Sequence, residues 1–223
     1  LRSYGTRRDD STESSTVRDD LIHGWREFIS RKWVVAIVAG YSIIAMLFES
    51  ALAVVGPYHA KESLGGPQPW SWIMAALCVG SVLGVVVTVK FRPRRPLFAG
   101  LVAQIGMVAW FASLGVTYWI PALVLTGFLC GFALDFFMVL WQTAMQSNIP
   151  RESLSRVVSY DAFGSLFFAP LGVLIAGPIA HRLGTLNTFT VFAIVTFVVL
   201  IAMLLVPEVR NLKGQQLTEE SAQ

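Results

Sequence analysis

Six apolar runs divide this sequence, and the basic residues between them alternate with the order of the runs. The runs lie roughly at Trp33–Ala60, Trp70–Val89, Leu97–Leu114, Trp119–Trp141, Val157–Ala180 and Thr188–Val206. Each approaches or exceeds the about 20 residues a helix needs to cross a hydrocarbon core. The polar segments up to Lys32, at Lys90–Arg95, at Gln142–Arg156 and at Arg210–Gln223 hold fifteen of the seventeen Lys and Arg residues. The other intervening segments carry only Lys61 and Arg182. Short loops rich in Lys and Arg stay on the cytoplasmic side, so six spans with both termini inside are expected. A water-soluble fold gives no reason for such alternation. The sequence describes an all-α, multi-pass protein of the cell inner (plasma) membrane, with the lipid bilayer as its first partner.

The formal charge of +3 therefore reports topology and anionic headgroups, and no nucleic acid partner is expected. Trp33 and Trp141 are expected at the inner interface, and Trp70, Trp72, Tyr118 and Trp119 at the outer one. Cys78 and Cys130 fall inside spans, where packing as small apolar residues is their expected role.

Residues 1–20 are mostly Ser, Thr, Arg and Asp and are expected to form a disordered cytoplasmic linker. From residue 21 to 32, Leu21, Ile22, Trp25, Phe28 and Ile29 recur at helical spacing opposite Arg26, Glu27 and Arg31. An amphipathic helix on the inner membrane face is expected there. The six-helix domain then occupies residues 33–206, and 207–223 read as a cytoplasmic tail. The chain opens on Leu1 without a signal-peptide pattern, and such a beginning suits the continuation of a protein better than its start.

Charged groups inside a bilayer are expensive, so each is a candidate for function. Three carboxylates qualify: Glu49 in the first span, Asp135 in the fourth and Asp161 near the inner end of the fifth. Counted along the helices, Glu49 lies past the midplane towards the outside and Asp135 in the inner half. Both are expected to face a cavity or a partner helix, because a carboxylate has little reach. Asp161 either snorkels to the inner headgroups or joins them. His23, His59 and His181 lie at or beyond the span ends, and no metal-ligand pairing or nucleophile-and-base pair is visible. An intramembrane enzyme is therefore not the expected reading, and no cofactor or metal is expected.

Glycine and proline are concentrated in the acid-bearing spans: Gly40 and Gly56-Pro57 in the first, Gly127 and Gly131 in the fourth, and Gly164, Pro170, Gly172, Gly177 and Pro178 in the fifth. Each glycine taken singly reads as helix packing. Taken as two triplets, the spans place an acid in each first member and none in each third. That pattern fits two inverted three-helix repeats, with first members on a cavity and third members towards lipid.

The order of motifs resembles the C-terminal half of a major facilitator superfamily transporter, in the branch of macrolide efflux pumps and siderophore exporters. The residues carrying it are Gly24-Trp25-Arg26-Glu27 with Ser30-Arg31 and Trp33, then Trp141-Gln142-Thr143 with Gln146 and Ile149-Pro150. They continue with Leu154-Ser155-Arg156-Val157, Ser159-Tyr160-Asp161-Ala162, Pro170-Leu171-Gly172, Ala176-Gly177-Pro178 and Pro207-Glu208-Val209-Arg210. The resemblance implies half of a twelve-helix fold, alternating access, and a cavity lined by the first, fourth and fifth spans. It also implies an N-terminal six-helix half as partner and a small-molecule substrate. The basic loop Lys90–Pro96 lacks the glycines and acid of the family's loop pattern, and His181 stands where an acid is familiar.

The expected function is proton-coupled efflux of small amphipathic organic compounds, with Glu49 and Asp135 as coupling candidates and Asp161 as a gating candidate. Trp, Phe and Met residues of the spans are available to line an apolar pocket. The alternative is a membrane partner, or an inactive truncated half, that does not itself transport.

Overall fold

Proline sets where most helices begin. Pro67, Pro96, Pro121 and Pro207 each occupy the first turn of a helix, where the missing N–H leaves no bond unmade. The computed structural model of the chain describes residues 28–91 and 93–212. Six helical units there are long and apolar enough to cross a membrane: Lys32–Ser63, Pro67–Lys90, Pro96–Val116, Ile120–Asn148, Ser153–Leu183 and Thr185–Leu205. The turns that join the first to the second and the fifth to the sixth use Gly65, Gly66 and Gly184 at φ of 82°, 126° and 79°. A side chain is rarely tolerated at such angles.

Two spans are irregular, for different reasons. The first is α-helical over Lys32–Ser50, widens into a π-helical turn over Ala51–Val55 and resumes at Gly56–Ser63. Pro57 offers no N–H and its ring crowds the preceding turn, and a wider turn relieves that crowding. The third span breaks at Gln104, between Pro96–Ala103 and Ile105–Val116.

Packing follows the small residues. The second and fourth spans meet backbone to backbone: Gly80 lies on the Phe128 carbonyl, Gly84 on that of Phe132, and Gly131 on that of Leu77. A methyl group at any of these positions would collide with a carbonyl oxygen. The first and fifth spans meet through Gly164 against Ser42 and Gly172 against Met46 and Ser50. The third packs on the fourth and sixth, and the sixth on the first. Exchanging first with fourth, second with fifth and third with sixth maps this pattern onto itself. The fold is thus two inverted three-helix repeats.

Several expectations are corrected by this packing. The second and fifth spans, not the third and sixth, are least covered by protein. Of their most apolar stretches 22% and 19% is buried, against 50% in the first and third. The third and sixth do keep an apolar outer face, Phe98, Val102 and Ile105 on one and Ile194, Phe197 and Val198 on the other. Trp33 and Trp141 are buried within the protein, whereas Trp72, Tyr118 and Trp119 are exposed on its surface. Cys130 is buried and Cys78 is exposed.

The expected linker and most of the surface helix lie outside the described residues; Phe28, Ile29 and Ser30 are helical. After the sixth span, Pro207–Asn211 forms a short helix with Val209 buried. Its Glu208 accepts a hydrogen bond from the Trp33 backbone N–H at 3.2 Å. A carboxylate at a helix N-terminus satisfies an otherwise unpaired donor and complements the helix dipole. The expected tail therefore starts as part of the fold.

Candidate functional site

Helical periodicity puts Ile37, Tyr41, Ile44, Phe48 and Glu49 on one face of the first span. Leu134, Asp135, Phe137, Met138 and Trp141 share one face of the fourth in the same way. These faces oppose each other across a cleft of about 330 Å³, to which the third span adds Met107 and the fifth Asp161. The backbones of the first and fourth spans make no close approach; only side chains meet between them.

Those side chains are mostly aromatic. Tyr41 lies flat on Phe137, with ring centroids 4.7 Å apart and planes 13° apart. Trp141 continues the stack from Phe137 at 6.5 Å and meets Trp33 edge-on at 5.6 Å. Flat, polarisable walls of this kind suit apolar and aromatic surfaces and, through the ring faces, cations.

All three sequence candidates border the same cleft. Glu49, Asp135 and Asp161 are half-buried. Asp161 accepts a hydrogen bond from the Trp141 indole N–H at 3.2 Å, which turns its carboxylate towards the cleft. Glu49 and Asp135 have no hydrogen-bond or ion-pair partner among the described residues. A carboxylate left without a partner beside apolar walls needs water, a proton or a cation.

Residues outside the charged set also shape the site. Gln104 is fully buried at the break of the third span, and its Nε2 donates to the Tyr41 hydroxyl at 2.7 Å. A polar amide within an apolar run was the signal available in the sequence. His59 is fully buried at the outer end of the first span, not merely at a membrane edge. Its Nδ1 lies 2.8 Å from Thr185 Oγ1, and its ring contacts Tyr118 and Phe189. This seam ties the first span to the start of the sixth. His181 lies on a separate outer concavity with Tyr58, Glu62 and Asn187. Among the described residues, no group of three or more His, Cys, Asp and Glu is arranged to hold a metal.

The family model described as Major Facilitator Superfamily matches residues 4–160 and 38–222. The chain is 28% identical over 212 residues to the multidrug efflux pump Tap of Mycolicibacterium fortuitum, an alignment covering 90% of this chain and 50% of that protein. The chain thus spans about half the length of the curated relative it matches. No solved structure gives a significant match. With six apolar helices in two inverted triplets around an aromatic cleft, and a family match across nearly its whole length, this chain belongs to the major facilitator superfamily of membrane transporters.

Proposed function

We propose that this chain forms the C-terminal six-helix half of a proton-coupled exporter of small amphipathic organic compounds. The observation that carries the reading is the convergence of three carboxylates, from three different spans, on one aromatic cleft. Aromatic and thioether walls give a permissive surface for apolar parts of a substrate. Glu49 and Asp135 carry the coupling. As the cleft alternates between wet and dry surroundings, the affinity of each for protons changes, which links proton uptake to substrate release. Asp161, tethered by Trp141 near the inner end, serves as a gate. A second six-helix half supplies the facing wall, and the weakly covered second and fifth spans are the surfaces it has available. The bias of basic residues in the loops supports a plasma-membrane protein with both termini in the cytoplasm. The relative named as a multidrug efflux pump supports this direction of transport.

The test is proton-driven uptake of an amphipathic fluorescent cation into everted vesicles from cells expressing the native gene. A cysteine placed at Arg94, reactive only from the cytoplasmic side, controls orientation. Glu49→Gln and Asp135→Asn should each abolish uptake while binding of the cation persists, since an amide keeps the shape and loses the titration. Unchanged coupling in both variants would end the proposal.

A further inference from the structure

Among the described residues, Gln104 is the one fully buried side-chain amide, and it bonds to a cleft residue. It occupies the break of the third span, where the helix tightens: the Met107 N–H bonds to the Gln104 carbonyl at 3.0 Å, three residues back. Its Oε1 is buried and meets no partner among the described residues. Turning the amide over would let Oε1 accept the tyrosine proton and orphan Nε2 instead, so the pairing with Tyr41 persists in either orientation. Packing alone does not account for this arrangement. A leucine or methionine would fill the space without leaving half an amide unsatisfied in a dry interior.

What the amide does hold is Tyr41. That ring borders the cleft and lies flat on Phe137, bridging two spans whose backbones stay apart. The stack by itself leaves the ring free to slide and rotate in its plane. A hydrogen bond at the hydroxyl tip removes that freedom, and its anchor belongs to a span packed against the fourth.

We propose that Gln104 is a positioning residue for the cleft: from the break in the third span, its amide fixes the Tyr41 ring as the wall on which bound compounds rest. The proposal deepens, and rests on, the reading of the cleft as a transport site. Gln104 touches no substrate in this scheme. It acts through Tyr41, so its removal weakens binding more than it slows the transport cycle.

Ethidium uptake into everted vesicles from cells expressing the native gene tests this, comparing Gln104→Met, Tyr41→Phe and the double variant. Each single change should raise the ethidium concentration for half-maximal uptake about fivefold, the fold-change for one net hydrogen bond. Maximal rates should stay near wild type. The double variant should be no worse than either single one, because both remove the same contact. A purely structural role would lower the amount of folded protein and the maximal rate, and leave half-saturation unmoved. Unchanged half-saturation in Tyr41→Phe, or effects that multiply in the double variant, would overturn the proposal. Should Gln104→Met fail to accumulate, Tyr41→Phe, which deletes a single oxygen, decides alone. Absence of ethidium uptake by the wild type counts against the transport reading instead. The same three variants then go into a thermal-unfolding cycle of purified protein, where additive shifts overturn the pairing and non-additive shifts uphold it.

Discussion

The fourth span meets the second and the first in opposite ways. Against the second it lies backbone on backbone, with Gly80, Gly84 and Gly131 letting carbonyls seat where side chains would stand. Against the first it keeps its distance, and Tyr41, Phe137, Trp33 and Trp141 fill the gap with rings. A glycine seam fixes two helices as one body, because any rotation drives a carbonyl into a neighbouring backbone. Stacked rings slide at little cost. The same helix thus presents one rigid flank and one adjustable flank, and the cleft that the three carboxylates border lies on the adjustable side.

The largest test of this contrast is Gly131→Leu. Its side chain would have to occupy the place of the Leu77 carbonyl, forcing the two spans apart. A cost of about 3 kcal/mol or more follows from overpacking against backbone that cannot yield. Loss of monodisperse, folded protein after detergent extraction would register it. A tolerated leucine would show that the seam is loose, and the contrast would collapse.

On the adjustable flank, Trp141→Phe should have an intermediate effect. An aromatic ring stays, but the indole N–H to Asp161 is lost together with some buried ring volume, for about 2 kcal/mol of stability. In an unfolding cycle, Asp161→Ala, which removes the acceptor, should suppress the hydrogen-bonding part of that difference. Equal sensitivity of Trp141→Phe with and without the carboxylate would show that the bond does not hold Asp161.

The smallest effect sharpens the contrast from outside both flanks. Gly177 in the fifth span has nothing within 4 Å of where a methyl group would stand. Gly177→Ala should therefore be neutral, or stabilise by up to about 1 kcal/mol through helix propensity. A thermal midpoint lowered by this change would reveal a close neighbour of the fifth span, as a second six-helix half would provide.

The residues divide clearly in how far they could be read. Glu49 and Asp135 stood out because charge in an apolar run is costly wherever it lies, and that cost needs no knowledge of neighbours. Gly127 and Gly131 were legible as packing positions, but Gly80 and Gly84, the same spacing in the second span, passed unremarked beside them. Gly177 read as packing on the same rule and touches nothing among the described residues. Small residues permit close approach without saying which partner, if any, arrives. Trp33 and Trp141 followed the rule for interfacial tryptophan and proved buried, since distance along a helix gives depth but not the direction a ring faces.

Membrane insertion, the number of spans and the inverted pairing of triplets were determined by the sequence itself, because hydropathy, basic bias and the cost of buried charge are summed residue by residue. The meeting of three acids on one cleft, the turn of Asp161 inward by Trp141 and the hold of Gln104 on Tyr41 were decided only by tertiary structure. Each depends on the rotation of one helix about its axis relative to another. A rotation of that kind is set by shape complementarity between surfaces far apart in the chain, and no local pattern records it.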